Sequence, residues 1–391
     1  MSRKNKIVIA IIAVIAVAAI AFFGIRHRMR KPADDNNVIK IGAILPLTGA
    51  ASFLGEDEKK GIEATKLMLL EKGIAIDVSY QDSSNLSKEG LNAFLKLVND
   101  KNIKAIIVAH SGVANPIVEY LNANRNRMSD FPMVFGILMV SDKIGRDVNI
   151  FARCIPTARV QTESLFNYIS RREKQIKNIG LIYQDDDYGK DYLQNISTIC
   201  QGQGMPRLIF AESFDKTNVD AKNIAQKFLS KSKQIDAVFI IGNSSAYASV
   251  LRSIKLGGFD GKIFSEASIE TPALRKAAGE VATKGIIFSS AYEKNDSAIS
   301  RKYEALLQKS GVGPSITNAY AAAATMILAE IINGSKKGQN AIELSQVYHQ
   351  KTFDTVLGKI CFDQSRVAIV PVCIKVINDL SPANDSVLKL E

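Results

Sequence analysis

Apolar residues in this chain come in short runs closed by polar turns, and the runs alternate with stretches whose apolar positions recur three and four residues apart. That switching of period predicts strands and amphipathic helices in turn. The first run, 38–45, ends in Pro46-Leu47-Thr48-Gly49, and a small polar loop leads to Gly55 and a helix from Glu56 to Met68. Residues 74–80 read as a strand entering Gln81-Asp82-Ser83-Ser84, and the helix after it sets Leu91, Phe94, Leu95 and Val98 on one face. The buried strand 104–109 ends in His110-Ser111-Gly112 before a helix through Ile117 and Leu121, and strand 132–138 ends near Ser141. Four such units in about a hundred residues predict a parallel, doubly wound α/β sheet with its functional loops at the strand C-terminal ends.

The rhythm restarts after Phe151. A helix over 162–171 leads to strand 178–183 and to Asp185-Asp186-Asp187-Tyr188-Gly189 at the next helix. Strand 207–212, helix 221–231, strand 237–241 ending in Gly242-Asn243-Ser244, helix 247–256 and strand 262–264 ending in Ser265-Glu266 follow, which predicts a second parallel sheet. Near the end, 359–362 and 367–376 are apolar runs separated by Asp363-Gln364-Ser365, the pattern of a hairpin.

With 391 residues, 47% of them hydrophobic, the chain is long enough for two cores. Nineteen uncharged residues, 7–25, span roughly 28 Å as a helix, close to the thickness of a bilayer's hydrocarbon core. The run continues through Phe22-Phe23 into Arg26, so an uncleaved anchor is expected rather than a cleaved signal, and no cysteine precedes Cys154 to carry a lipid. Both flanks of the run are basic and leave its orientation open. Residues 1–34 hold seven basic residues against one acidic and contribute +6 of the net +11. The rest is mildly basic, without aromatic interleaving, so nucleic acid is not an expected partner.

Chemistry-bearing patterns are sparse. The chain has no G-x-S-x-G, H-E-x-x-H, Walker loop, Rossmann glycine fingerprint or C-x-x-C. Cys154, Cys200, Cys361 and Cys373 lack metal-ligand spacing, and three histidines are too few to complete a zinc site. Cys361 and Cys373 remain either a bridge or a pair of free thiols. The Asp185-Asp186-Asp187 run is expected to cap a helix rather than to hold a cation. No metal, cofactor or catalytic residue is expected, and the chain reads as a binder, not an enzyme.

Several segments together resemble the type I periplasmic binding proteins, in particular the branched-chain amino-acid (Leu/Ile/Val) binding group of ABC transporters. They are Ile41-Gly42-Ala43 through Leu47-Thr48-Gly49 with Phe53 and Gly55, Tyr80-Gln81-Asp82, Tyr183 through Asp187-Tyr188-Gly189-Lys190, Ile235 to Phe239, Ala319-Tyr320-Ala321, and Gly358-Lys359-Ile360 with Phe362-Asp363. The resemblance implies two doubly wound parallel-sheet lobes joined by three hinge crossings near Arg153, Ser289 and Asp354. Lobe one would be 38–153 with 290–354, lobe two 154–289 with 355–391, behind a signal anchor and linker at 1–37. By the same resemblance the ligand-binding residues would be Phe53 as an aromatic lid, Ser111, Gly112 and Ser141 in loops of lobe one, and Tyr188, Asn243, Ser244 and Glu266 in lobe two. Glu266 falls near the acidic residue that pairs with a ligand ammonium, and Glu270 competes for that role. The chain departs from the family at Ser141-Asp142-Lys143-Ile144, where a threonine is usual.

The expected function is capture of an amino acid or related small polar molecule for an ABC permease. The expected place is the periplasm or the outer face of the inner membrane, with the membrane contacted through the N-terminal helix and a monomer as the default state. A ligand-sensing receptor of the same fold acting through a partner is the alternative, and an enzyme on this scaffold ranks below both.

Overall fold

The computed structural model describes residues 38–388 except Lys143 and Lys294. The expected membrane span at 7–25 lies outside the described residues, and among those described no helix is long and apolar enough to cross a membrane.

Strands β1 (Ile39–Leu45), β2 (Ile76–Asp82), β3 (Ile103–Ala109), β4 (Met133–Ile137) and β5 (Phe151–Arg153) pair in parallel in the order β2-β1-β3-β4-β5. Helices α1 (Ser52–Leu70), α2 (Ser87–Val98) and α3 (Ser111–Ala123) make the crossovers. β1, β3 and β4 are buried almost throughout, which is why they read as nearly continuous apolar runs, broken only by Lys40 and Lys104 near the starts of β1 and β3. β2 runs two residues later than its apolar pattern suggests, because its pairing with β1 continues to Leu45 opposite Asp82.

The second half repeats the plan. Helix α4 (Ala158–Arg172) precedes β6 (Asn178–Gln184), α5 (Asp187–Ile199), β7 (Arg207–Phe214), α6 (Ala221–Leu229), β8 (Ala237–Ile241), α7 (Ser245–Leu256), β9 (Lys262–Ser265), α8 (Pro272–Ala278) and β10 (Ile287–Ser290). These strands pair in parallel in the order β7-β6-β8-β9-β10, the same winding as the first sheet. In both sheets the order reverses beside the first strand, between β1 and β3 and between β6 and β8, and such reversals open a crevice at the strand C-terminal ends.

After β10 the chain returns to the first sheet with α9 (Ala298–Lys309) and α10 (Ile316–Asn333). α10 is apolar all round, with Ala319 through Ala324 fully buried, and it packs on α1 and on strands β3 and β4. Close approach of α1 and α10 depends on Gly61, where a Cβ would sit 2.1 Å from the Asn318 carbonyl oxygen. Gly61→Ala is therefore expected to lower unfolding stability by about 1–3 kcal/mol, read as a lower urea midpoint at unchanged slope.

The terminal part corrects one expectation. Strands β11 (Phe353–Thr355) and β12 (Gly358–Ile360) form a small hairpin, and Phe353 and Phe362 join Phe135 and Tyr348 in one aromatic cluster against β4. Val367 bridges Arg153 at the edge of the first sheet. The chain thus stays with the first sheet to Ala368 instead of leaving near Asp354, and it passes to the second sheet before β13 (Cys373–Val376), which pairs antiparallel with β10 and with β14 (Ser386–Leu388). The expected hairpin survives only as the Phe362–Ala368 bridge and its turn. Pro371, which has no N–H to donate, interrupts the run 367–376, so its two ends belong to different sheets. Cys154, Cys200, Cys361 and Cys373 are all free thiols.

Candidate functional site

The first wall is built from strand ends of the first sheet. Beyond β1 the turn is tied down by Asp82, whose Oδ1 accepts from the backbone N–H groups of Leu47 at 2.9 Å, Thr48 at 3.2 Å and Ser84 at 2.8 Å, while Oδ2 accepts from the Thr48 hydroxyl at 2.5 Å. Partial burial raises the Asp82 carboxyl, but these bonds outweigh it and hold the group below the usual carboxylate range. β3 ends in His110, whose backbone at φ +69°, ψ +142° is a conformation that side chains other than glycine rarely adopt. α3 begins at Ser111 and contains Pro116, which lacks the N–H that would reach the Gly112 carbonyl, and the Ser87 hydroxyl donates to that carbonyl instead at 2.7 Å.

The loop after β4 is pinned from beneath by Arg153. Its fully buried guanidinium donates to the carbonyls of Met139 at 3.4 Å, of Asp142 at 3.4 Å, and of Ser141. Burial, with Arg146 nearby, pulls its pKa down to about 10. Ile316 and Thr317 complete this wall from the start of α10. They are fixed by a capping box in which the Ser315 hydroxyl accepts from the Asn318 N–H at 3.1 Å and Asn318 Oδ1 accepts from the Ser315 N–H at 3.0 Å, and Asp57 of α1 accepts from both side chains.

The facing wall comes from the second sheet. Asp186 caps α5 by accepting from the Gly189 N–H at 3.2 Å, and Asp185 pairs with Lys190 at 2.9 Å, so the aspartate run serves the helix terminus. Gly189 lets that helix start against the end of β6, since a Cβ there would lie 2.0 Å from the Gln184 carbonyl oxygen, and Tyr188 is thereby turned inward. Gln184 donates to Asn243 Oδ1 at 2.9 Å and holds the Asn243 side chain in place. Glu266 is 1% exposed; its Oε2 accepts from the Ser268 N–H at 2.7 Å, and its Oε1 has no hydrogen-bond partner among the described residues. Burial pushes its pKa up to about 7, and bonds from Tyr188 and Ser268 oppose that rise only in part. Glu270 is committed elsewhere, accepting from Lys375 at 2.7 Å and from the Ser290 hydroxyl at 2.8 Å.

The two walls are shut on one another. Lys216 Nζ reaches across to the Asn85 carbonyl at 2.8 Å, the Ser245 N–H donates to the Ala50 carbonyl at 3.3 Å, Asn195 donates to Asp142 at 3.1 Å, and Asn115 bonds Asp187. They enclose a cavity of ≈ 20 Å³, room for about one water, so a solute of amino-acid size enters only if the walls part. Leu54, Leu138, Val140 and Ile316 make one side apolar, and Tyr188, Asn243, Glu266 and Ser268 make the other polar. A larger groove of ≈ 420 Å³, bordered by Val98, Lys104 and Pro132, lies at the opposite, N-terminal ends of the first sheet's strands and is remote from these groups.

Of the residues singled out in the sequence, Tyr188, Asn243 and Glu266 line the cavity. Ser111 and Ser141 are buried and are not among the described residues that line it; the Ser141 N–H donates to Ser111 Oγ at 3.4 Å. Gly112 is occupied with Ser87, and Ser244 starts α7 with its buried hydroxyl lacking a partner among the described residues. Phe53 sits in the first turn of α1 and packs against the apolar cluster of the second sheet. Sequence reasoning did not assign His110, Leu54, Ile316 or Thr317 to the cavity lining. A strand-end histidine was a visible signal, whereas Ile316 and Thr317 return to the first sheet only after the second is complete and had none.

Comparison with known proteins follows the same outline. A family model described as "Periplasmic binding protein" matches residues 38–371. The Leu/Ile/Val-binding protein homolog 3 of Brucella melitensis is 23% identical over 341 residues, covering 84% of this chain and 88% of that protein. Among solved structures, the branched-chain amino acid transporter substrate-binding protein LivJ of Streptococcus pneumoniae, in complex with isoleucine, superposes with a TM-score of 0.78 at 19% identity, over 90% of this chain and 99% of that one. A solute-binding protein of an ABC transporter of R. palustris, in complex with benzoate, gives 0.74 at 14% identity over 90% and 95%.

Proposed function

Since this chain belongs to the periplasmic binding protein family, matched over residues 38–371, we propose that it captures an amino acid or a closely related small molecule between two lobes and delivers it to an ABC-type permease. One observation carries the choice of ligand. The unpartnered Oε1 of Glu266 belongs to a buried carboxylate lining the cavity, and across from it stand Leu54, Leu138, Val140 and Ile316. A carboxylate so placed suits an ammonium, and the apolar wall suits an aliphatic or aromatic tail. The relatives named for leucine, isoleucine and valine support the same class.

In this reading lobe one comprises 38–153 and 295–368, and lobe two 154–290 and 373–388. Binding draws the lobes together about the three connecting segments, and the contacts from Lys216 to Asn85 and from Ser245 to Ala50 latch the closed form. Phe53 adds an apolar contact across the cleft. The uncharged run 7–25 would hold the protein at the outer face of the inner membrane, close to a permease.

The test is a melting series on residues 35–391 after unfolding and refolding to strip carried-over solute. Branched-chain and aromatic amino acids are expected to raise the midpoint with concentration, as native-state binding requires, and benzoate and other acids without an ammonium are expected to leave it unchanged. A shift with acids alone would remove the assigned role of Glu266, and no shift across the panel would remove the binding reading.

A further inference from the structure

Beside the apolar wall lies a pair of titratable side chains that the reading above does not use. Glu58, one helical turn after Leu54 on α1, is 0% exposed, and neither of its carboxylate oxygens has a hydrogen-bond partner among the described residues. Its one ionic neighbour is His110, 4% exposed, with Nε2 at 3.1 Å from Glu58 Oε1, an ion-pair distance approached too obliquely for a directed hydrogen bond. A buried carboxylate is costly unless paired, so the imidazole answers a real demand. His110 also lines the cavity, where Thr317 is the other polar group on the lobe-one side, and among the described residues no lysine or arginine lines it. It stands there at φ +69°, a backbone that glycine would adopt freely, so the side chain is kept in spite of the conformation it occupies.

We propose that His110 is a specificity-determining residue that receives the carboxylate of the bound solute, with Glu58 as the positioning residue behind it; this rests on the amino-acid reading above. Facing Glu58 with Nε2 leaves Nδ1 to serve the cavity. A solute carboxylate would accept from Nδ1 on the cavity side of the ring, while Glu58 holds the ring in place from the Nε2 side. The solute then lies with its ammonium toward Glu266 and its carboxylate toward His110, and the site rejects analogues that lack the second group.

The probes are L-leucine and L-leucinamide, which differ only in replacement of the carboxylate by an amide, titrated calorimetrically into the stripped protein. Wild type is expected to favour L-leucine about 10-fold or more, in line with a charge-assisted bond made or lost in a buried site. His110→Gly, compatible with the backbone, should weaken L-leucine by about 30-fold and leave L-leucinamide within about threefold, and the near-isosteric Glu58→Gln should narrow the preference while folding normally. If both variants keep the wild-type preference, or lose both probes equally, the proposal is overturned and the amino-acid reading stands. If wild type binds neither probe, the reading falls and the proposal falls with it.

Discussion

Glutamine in place of Glu266 is expected to reduce affinity for an ammonium-bearing solute on the order of 100-fold at pH 8, because it removes one partner of a charge pair inside a dry cavity. The pH dependence supplies a second signature. Burial raises the Glu266 carboxyl to about 7 from its ordinary 4.5, so the folded protein holds this proton more tightly than the unfolded chain does. Its contribution to stability is therefore fully present below about pH 4.5, falls as pH rises, and is exhausted above about pH 7, a change of roughly 3 kcal/mol from that pair of values. Solute binding runs the other way. An ammonium selects the ionised carboxylate, so affinity should rise up to tenfold per pH unit toward neutrality and then level off. Titration calorimetry and urea unfolding between pH 4.5 and 8 on wild type and Glu266→Gln check both slopes, and equal slopes in the two proteins would rule out this role for Glu266.

The largest expected loss of stability lies in the support of the turn that follows Glu266. Arg275 and Asp385 have side chains 0% and 1% exposed and form a two-pronged pair, with Nη1 to Oδ1 at 2.7 Å and Nη2 to Oδ2 at 2.5 Å. Arg275 Nε also donates to the Ile269 carbonyl at 2.7 Å, so the pair anchors β14 to the turn that follows Glu266 and carries Ser268. Asp385→Ala leaves a buried guanidinium without its counter-charge and is expected to cost about 3–5 kcal/mol, whereas the double change Arg275→Met with Asp385→Leu should recover most of it. Urea midpoints for the single and double variants decide the matter. A single-variant loss below about 1 kcal/mol would mean that water reaches the guanidinium and the pair is not sealed.

Much of this architecture is written locally. β1, β3 and β8 are largely apolar runs because helices cover both faces, and the Asp186 cap follows from residues three positions apart, whereas the Asp82 bonds that fix the first turn join residues 34 and 35 positions apart. What the pattern did not disclose depends on distant packing. Glu58 is one acidic residue among several on α1, and only the approach of β3's end shows that it is buried against His110. Ile316 and Thr317 reach the cavity because Gly61 and Asp57 of α1 accept the start of α10 at close range. The run 367–376 resembles one strand, yet Pro371 divides it between two sheets, and the third passage was misplaced for that reason. Ser111 and Ser141 are strand-end hydroxyls by sequence, and with the walls shut both are buried, the Ser141 N–H donating to Ser111 Oγ.

The three passages between the sheets are short: Arg153 to Ala158, Ser290 to Asn295, and Ala368 to Cys373. Parallel tethers of a few residues each leave the lobes little freedom besides one swing, so every contact made only in the closed position acts along a single coordinate. On the proposed closure, Lys216 on Asn85 and Ser245 on Ala50 are such contacts, and neither pair lines the cavity. A change at that rim alters how often the cleft is shut and scales the affinity for all solutes alike, whereas a change at Glu266 or His110 alters the ratio between them. On that proposal strength and choice of binding are separable, open to independent adjustment by selection.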